Sequence, residues 1–361
     1  MDDHNTEKPD AVMDTASVPD AIAWQADHAQ KAGAPNTARV IRALLALEDC
    51  EAATARRIFG WQGLCLADAM PLRINGGLHR LALTGEAPRL ADAYSGLVSD
   101  QTAVDGIVRE AVETFDTILL PWLDGPPQTN EAGRSASIMA GLMWLASRTT
   151  GRFELLEIGA SAGINTMMDR YGYDLGGVLA GPQHGPMQIA PEWRGDPPPQ
   201  AAPEIVSARG CDLAPLDLTD PDAVLRLKSF VWPEATQRMA RIDAAAALAV
   251  EAAPEVARQD AAIFVADALS RPQSEGVTRV LFHTIVWQYL PEDQQAEIEE
   301  AMVEAGAKAD ADRPLAWLAL ETNRKTFRHE LHARFWPEGE DPVLLAEAHP
   351  HGAWIEWKGA P

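Results

Sequence analysis

The sequence predicts an α/β protein in which a mostly parallel sheet ending in an antiparallel hairpin is preceded by an all-α region. Three observations carry that expectation. From about Asp20 to Gly151 apolar side chains recur at helical spacing, most clearly Val104, Ile107, Val108, Ala111, Val112, Phe115, Ile118 and Leu119. Beyond Gly151 short apolar runs alternate with helical segments, the pattern of a parallel sheet. At the junction, Phe153-Glu-Leu-Leu-Glu157-Ile-Gly159-Ala-Ser161-Ala-Gly163-Ile-Asn165 reads as a strand, a small-residue turn and the start of a helix containing Met167 and Met168.

Taken in order, residues 1–18 are polar and aperiodic and read as a mobile tail. Helices are expected over 22–30, 37–47 and 77–83, the last followed by Gly85. Pro121 ends or kinks the helix over 104–119. Another runs over 131–148, with Asn130 as its N-cap and Gly151 near its C-cap. Strands are expected over 153–158, 204–211, 262–265, 277–286 and 315–321. The last two, 343–346 and 354–357, are joined by a loop too short for a crossover helix and so form a hairpin. Segment 176–203, rich in Gly, Pro and Gln, reads as an insertion or lid. The resulting division is a tail (1–18), a helical domain (19–150) and an α/β domain (151–361).

Composition narrows the function. Thirty basic residues against 53 acidic ones give a formal charge of -23, which repels phosphate backbones and anionic membranes. Nucleic acid and membrane are therefore not expected partners; a small-molecule substrate is. The three cysteines, Cys50, Cys65 and Cys211, form no Cys-x-x-Cys pair, so neither a disulfide framework nor a structural zinc site is indicated. The His residues show no metal-ligand spacing either. A cytoplasmic location fits the reducing environment, the absence of a secretory signal and the lack of an apolar run of roughly 18 residues.

The chemistry concentrates at the glycine turn. Gly159 and Gly163 allow close approach to the backbone, Glu157 ends the strand with a carboxylate, and open α/β sheets bind ligands beyond such strand ends. This turn resembles the first motif of class I S-adenosylmethionine-dependent methyltransferases, with Ser161 in place of the middle glycine. The resemblance implies a Rossmann-like domain in which Glu157, Gly159, Ser161, Gly163 and Asn165 hold S-adenosylmethionine. It further places Asp212 on the ribose hydroxyls and Asp267, in the run Ile263-Phe-Val-Ala-Asp267, on the adenine amino group. His283 and Tyr289, in Leu281-Phe-His283-Thr-Ile-Val-Trp-Gln-Tyr289, fall where such enzymes carry groups near the transferred methyl. Asn130, Glu131 and Arg134, at a helix start, would clamp substrate; they also make sense as a capped helix start. A bulky residue in place of Gly163 is then expected to abolish cofactor binding with the fold intact.

Nearly the whole chain after the tail also resembles a bacterial family of uncharacterised proteins carrying a domain of unknown function. The matching stretches are 72–83, 129–134, 157–171, Arg209 to Pro215, 283–290 and His351-Gly352. That family supplies a fold expectation but no reaction.

Three rival readings remain open. Gly159-Ala-Ser161-Ala-Gly163 also matches the nucleophile elbow of α/β-hydrolases, with Asp267 or Asp341 and His349 or His351 in the order a triad needs. The helical character of the preceding residues speaks against it. An NAD dehydrogenase is weaker, because its fingerprint requires glycines where Ser161 and Ile164 stand. The other rival is a catalytically silent nucleotide-binding scaffold.

Overall fold

The computed structural model describes residues 17–62 and 68–359. Residues 1–16 of the expected tail, and Cys65, lie outside them. Ser17 and Val18 do not belong to a tail: the Ser17 hydroxyl accepts the Asp20 amide and caps the first helix. The chain divides into two compact units, the first made of residues 1–129 and 221–240, the second of 130–220 and 241–361. The junction thus falls after Thr129, not near residue 150, and the helical unit takes in a second piece of chain.

Unit 1 begins with α1 (Val18–Lys31), α2 (Pro35–Ala43), α3 (Ala53–Phe59), α4 (Met70–Leu83), α5 (Pro88–Ser95), α6 (Gln101–Thr114) and α7 (Asp116–Leu119). Ile22, Ile41, Leu44, Ile74, Leu78, Val104 and Val108 form its core, all fully buried. The single helix expected over 104–119 is broken at Phe115. Asp116 explains the break, because its carboxylate accepts the amides of Ala53 (2.8 Å) and Thr54 (2.7 Å) and so caps α3 from outside. Pro121 lies in the 3-10 turn Leu120–Leu123 that follows.

Unit 2 opens with the 3-10 turn Ala132–Arg134 and α8 (Ser135–Ala146), then β1 (Arg152–Ile158), β2 (Gly172–Leu175), β3 (Val178–Ala180), β4 (Gln188–Ile189), β5 (Glu192–Arg194) and β6 (Glu204–Asp212). The chain returns to unit 1 for α9 (Pro221–Ser229). There Ser229 O bonds to His79 Nδ1 (3.1 Å), and the Glu234 carboxylate caps α2 by accepting the amides of Asn36 (2.8 Å) and Thr37 (3.0 Å). Next, α10 (Thr236–Glu251) runs across the unit boundary. It is followed by β7 (Val256–Arg258), α11 (Ala261–Ser270), β8 (Thr278–Thr284), α12 (Glu292–Gly306), β9 (Leu315–Thr322), β10 (His329–Trp336), β11 (Gly339–Ala348) and β12 (Trp354–Trp357).

Nine strands form one sheet in the order β7-β6-β1-β8-β9-β10-β11-β12-β5. From β7 to β9 every pair is parallel; β10, β11 and β12 then alternate antiparallel. The C-terminal hairpin, β11 with β12, is present as expected and is extended by β10. The faces follow the two-residue alternation of strands. Leu156, Ile158, Leu281 and Trp317 pack with Phe264 and Val265 of α11 and Ile298 and Met302 of α12. On the other face, α8 packs against β9 and β10, its Gly141 facing Leu318 and Leu331.

Two expectations are corrected here. Residues 262–265 are not a strand but the first half of α11, started by Asp260, whose side chain accepts the amides of Ala262 and Ile263. Segment 176–203 is not a loose lid: it supplies β3 and β4 to a small sheet with β2, and β5 to the edge of the large sheet beside β12. The helix expected after the glycine turn is a 3-10 stretch, Asn165–Arg170, kinked at Met167. Among the described residues no helix is long and apolar enough to cross a membrane.

Candidate functional site at the carboxyl edge of the sheet

In the parallel part of unit 2 the chain builds outward from β1 twice, first through β6 and β7, then through β8 and β9 on its other side. The direction of winding reverses between β1 and β8. Sheets with such a reversal carry their ligand crevice beyond the carboxyl ends of the strands at that point. Here those ends are the turn 159–164, Asp212, and the loop 284–287.

The turn is tightly specified. Gly159 (φ 67°), Ser161 (φ 52°) and Gly163 (φ 74°) all adopt the left-handed region, which glycine reaches freely and serine does not. Several of its backbone donors are taken by the protein. Ala160 N donates to Cys211 O (2.9 Å), Ser161 N to Asp212 Oδ2 (2.9 Å), and Ile164 N to Asn130 Oδ1 (2.9 Å). Asp212 Oδ1 also accepts the Ala214 amide (2.8 Å), while Ser161 O accepts the Leu216 amide (3.2 Å). Asp212 and Asn130 therefore fix the shape of the turn. The N-cap of the turn Ala132–Arg134 is Glu131, not Asn130.

Beneath the turn lies a set of unmatched groups. Glu157 is 1% exposed; Asn165 Nδ2 donates to its Oε1 at 3.4 Å, and its Oε2 has no partner. Ser161 Oγ and Asn165 Oδ1 are likewise buried without partners. Burial holds the Glu157 carboxyl well above the usual carboxylate range, against the opposing pull of the Asn165 amide and the Arg134 charge. Folding above the unfolded pKa therefore requires this carboxyl to take up a proton. Its contribution to stability is full below about pH 4.5 and is lost as pH rises toward the folded pKa. Glu157→Gln should remove that loss. Over the pH range above about 4.5 the variant should gain on the parent protein, by a slope of at most about 1.4 kcal/mol per pH unit, read from urea unfolding. A constant difference across that range would mean that the folded carboxyl is already ionised.

The glycines do not open onto space. A Cβ on Gly159 would sit 2.3 Å from Val286 Cγ2, and one on Gly163 would sit 2.7 Å from both Pro254 and Val256. Replacing Gly163 by a bulky residue would thus disturb packing within the protein, contrary to the expectation of an intact fold. Val286 is brought against Gly159 by the loop after β8, where Ile285 has φ 56°, a strained value for a β-branched residue.

The remaining residues are distributed unevenly. Glu131 is buried, its Oε1 accepting Gly133 N (3.0 Å) and Arg241 Nη1 (3.2 Å). Arg134 is buried too and donates to the carbonyls of Thr284 (3.1 Å) and Pro350 (2.8 Å), tying the end of β8 to the loop after β11. His283 belongs to the face covered by α11 and α12, stacked on Trp287 with its centroid 5.1 Å away and flanked by Trp317. Its Nδ1 lies 2.6 Å from Glu321 Oε1, and its Nε2 is buried without a partner. Tyr289 is 57% exposed. Asp267 is exposed on α11, bonded to Gln259 (2.8 Å), so the strand-tip position expected for it is not where it stands.

Glu157, Ser161, Asn165, Asp212 and Asn130 thus come together at one turn with Arg134 nearby, whereas Asp267 and Tyr289 do not join them. Glu321 and Val286 were not singled out from sequence; Glu321 accepts the amides of Val286 (3.0 Å) and Trp287 (3.2 Å) as well as facing His283. Nor was His329, whose pKa burial lowers to about 4, with Arg134 and His349 adding to the effect. Among the described residues no group of His, Cys, Asp and Glu is arranged to hold a metal ion. No curated protein and no solved structure matches the chain. A sequence profile does match across residues 19–357, and the chain belongs to that family, described as uncharacterised proteins conserved in bacteria (DUF2332).

Proposed function

We propose that unit 2 binds S-adenosylmethionine at the carboxyl edge of its sheet and methylates a small molecule. The observation that carries this reading is the trio of buried, unpartnered polar atoms, Glu157 Oε2, Ser161 Oγ and Asn165 Oδ1, at the point where the winding of the sheet reverses. Unmatched buried acceptors and donors cost free energy, and a polar ligand is one way to satisfy them. In kind, the residues suit this cofactor. Asn165 offers an acceptor to an amino group, Glu157 offers one when a cationic amino group beside it displaces its proton, and Asp212 keeps acceptor capacity beyond its two backbone bonds for a pair of ribose hydroxyls. Room for it requires Val286 to leave Gly159, a movement of the strained loop at Ile285.

When bound, the cofactor supplies a methyl group already activated on a sulfonium. The chain's own task is to orient the acceptor and exclude water. Arg134 and Glu131 serve this by holding the loop 349–352 and the start of α8 in place, since their side chains bond within the protein. His283, beneath Trp287, reaches an acceptor only if that indole moves with the loop.

One observation favours a hydrolase instead: Ser161, three residues beyond the end of β1, has φ 52°, the strained backbone of a nucleophile elbow. Its Oγ has no partner, so neither His349 nor His351 is bonded to it. Calorimetric titration with S-adenosylmethionine and its demethylated product decides the matter. Saturable binding that is retained in Ser161→Ala and tightened several-fold in Val286→Ala is expected. Absence of binding to both proteins, or covalent labelling of Ser161 by a phosphonate, would overturn the proposal.

A further inference from the structure

At the opposite, amino-terminal edge of the parallel strands, unit 2 carries a second feature that the carboxyl-edge site does not use. A cleft of about 390 Å³ lies between α11 and α12, over the starts of β8 and β9. Pockets of this size accommodate small ligands. Four of its thirteen lining residues are cationic, Arg271, Arg279, Lys308 and Arg313, in a chain with only 30 basic residues among 361. Composition alone would place about one there, so the concentration of positive charge in this hollow is local and runs against the charge of the whole molecule.

The four cations are not equivalent. Arg279 is 3% exposed, pairs with Glu154 at 2.9 Å and donates to the carbonyls of Arg271 (3.1 Å) and Pro272 (3.4 Å), which fixes the segment carrying Arg271. Arg313 donates to Gln273 O (3.3 Å) and approaches Glu275 at 3.8 Å. By contrast, the exposed side chains of Arg271 and Lys308 make no ion pair or hydrogen bond among the described residues. Glu304 is the single acidic residue of the lining, and Leu269, Ala305 and Leu315 give the floor an apolar part. Two anchored guanidinium groups, two uncommitted cations and an apolar floor make a receptor for a small organic oxyanion.

We infer that this cleft binds a small organic anion bearing a doubly charged head, the chemistry shared by a phosphomonoester and a dicarboxylate, with Arg271 and Lys308 as the groups that contact it. The inference does not depend on the methyltransferase reading. Arg271 and Lys308 are exposed and uncommitted, so the double variant Arg271→Ala, Lys308→Ala should keep the urea midpoint of the parent protein.

Titration calorimetry with phenyl phosphate, phthalate, inorganic phosphate and phenol tests the inference. Phenyl phosphate or phthalate should bind saturably, more tightly than inorganic phosphate, which lacks the apolar body, and than phenol, which lacks the charge. Affinity should fall at least tenfold in the double variant, and fall with rising salt. Tighter binding of phenyl phosphate than of phthalate assigns the site to phosphomonoesters, and the reverse order to dicarboxylates. No saturable binding of either at millimolar concentration, or binding unchanged in the double variant, overturns the inference.

Discussion

Gly352→Ala should destabilise unit 2 by about 3–5 kcal/mol, the sum of a left-handed backbone imposed on alanine and an overlap that has nowhere to relax. Gly352 has φ 69°, and a Cβ there would lie 2.3 Å from Gly133 O and 2.4 Å from Gly133 C. Those atoms are backbone, at the entry to α8, and are held by the Gly133 amide's bond to Glu131. Gly276→Ala is the control, because Gly276 has φ 72° with nothing within 4 Å of the added carbon. It should cost only the conformational part, about 1–2 kcal/mol. Urea unfolding of both variants checks this, and equal losses would show that the close approach of Gly352 to Gly133 carries no energetic weight.

The second large effect concerns the glycine turn itself. Gly159→Ala should lose about 2–4 kcal/mol, again from positive φ (67°) plus overlap, here with the side chain of Val286. Because the obstacle is a side chain, it can be removed. In the double variant Gly159→Ala, Val286→Gly the overlap disappears, and the coupling between the two sites should recover about 1–3 kcal/mol in a double-mutant cycle. Strict additivity would mean that Val286 does not press on Gly159. The same contact links stability to function, since the proposed cofactor needs the space that Val286 fills.

Sequence was most informative where burial is uniform. Strands β1, β8 and β9 sit inside a parallel sheet and announce themselves as apolar runs, Phe153 to Ile158 and Thr278 to Thr284 among them. Strand β10 escaped notice because His329, Glu330, His332 and Arg334 dominate its composition, although Leu331, Ala333 and Phe335 alternate with them and are buried. The run from Ala261 to Val265 misled for the opposite reason: a short apolar stretch suits a strand or a buried helix equally. Asp260, a capping residue just before it, was the signal that pointed to a helix.

At the site, the residue types around the turn were legible, but their connections were not. That Asp212 would bond to the Ser161 amide depends on the parallel register that sets Cys211 beside Ile158. The pairing of His283 with Glu321 depends on two strands whose neighbourhood only the sheet order reveals. Nothing local announces either one.

The helical unit is assembled from two stretches of chain with residues 130–220 between them. During synthesis a ribosome therefore delivers α1 to α7 well before Phe230 arrives beside Trp122, or Glu234 beside the start of α2. Until residue 240 emerges, the nascent helices lack their last partners, while β1 and β6 of the other unit are already outside the exit tunnel. Maturation of the first part of the polypeptide is thus timed by the arrival of its middle.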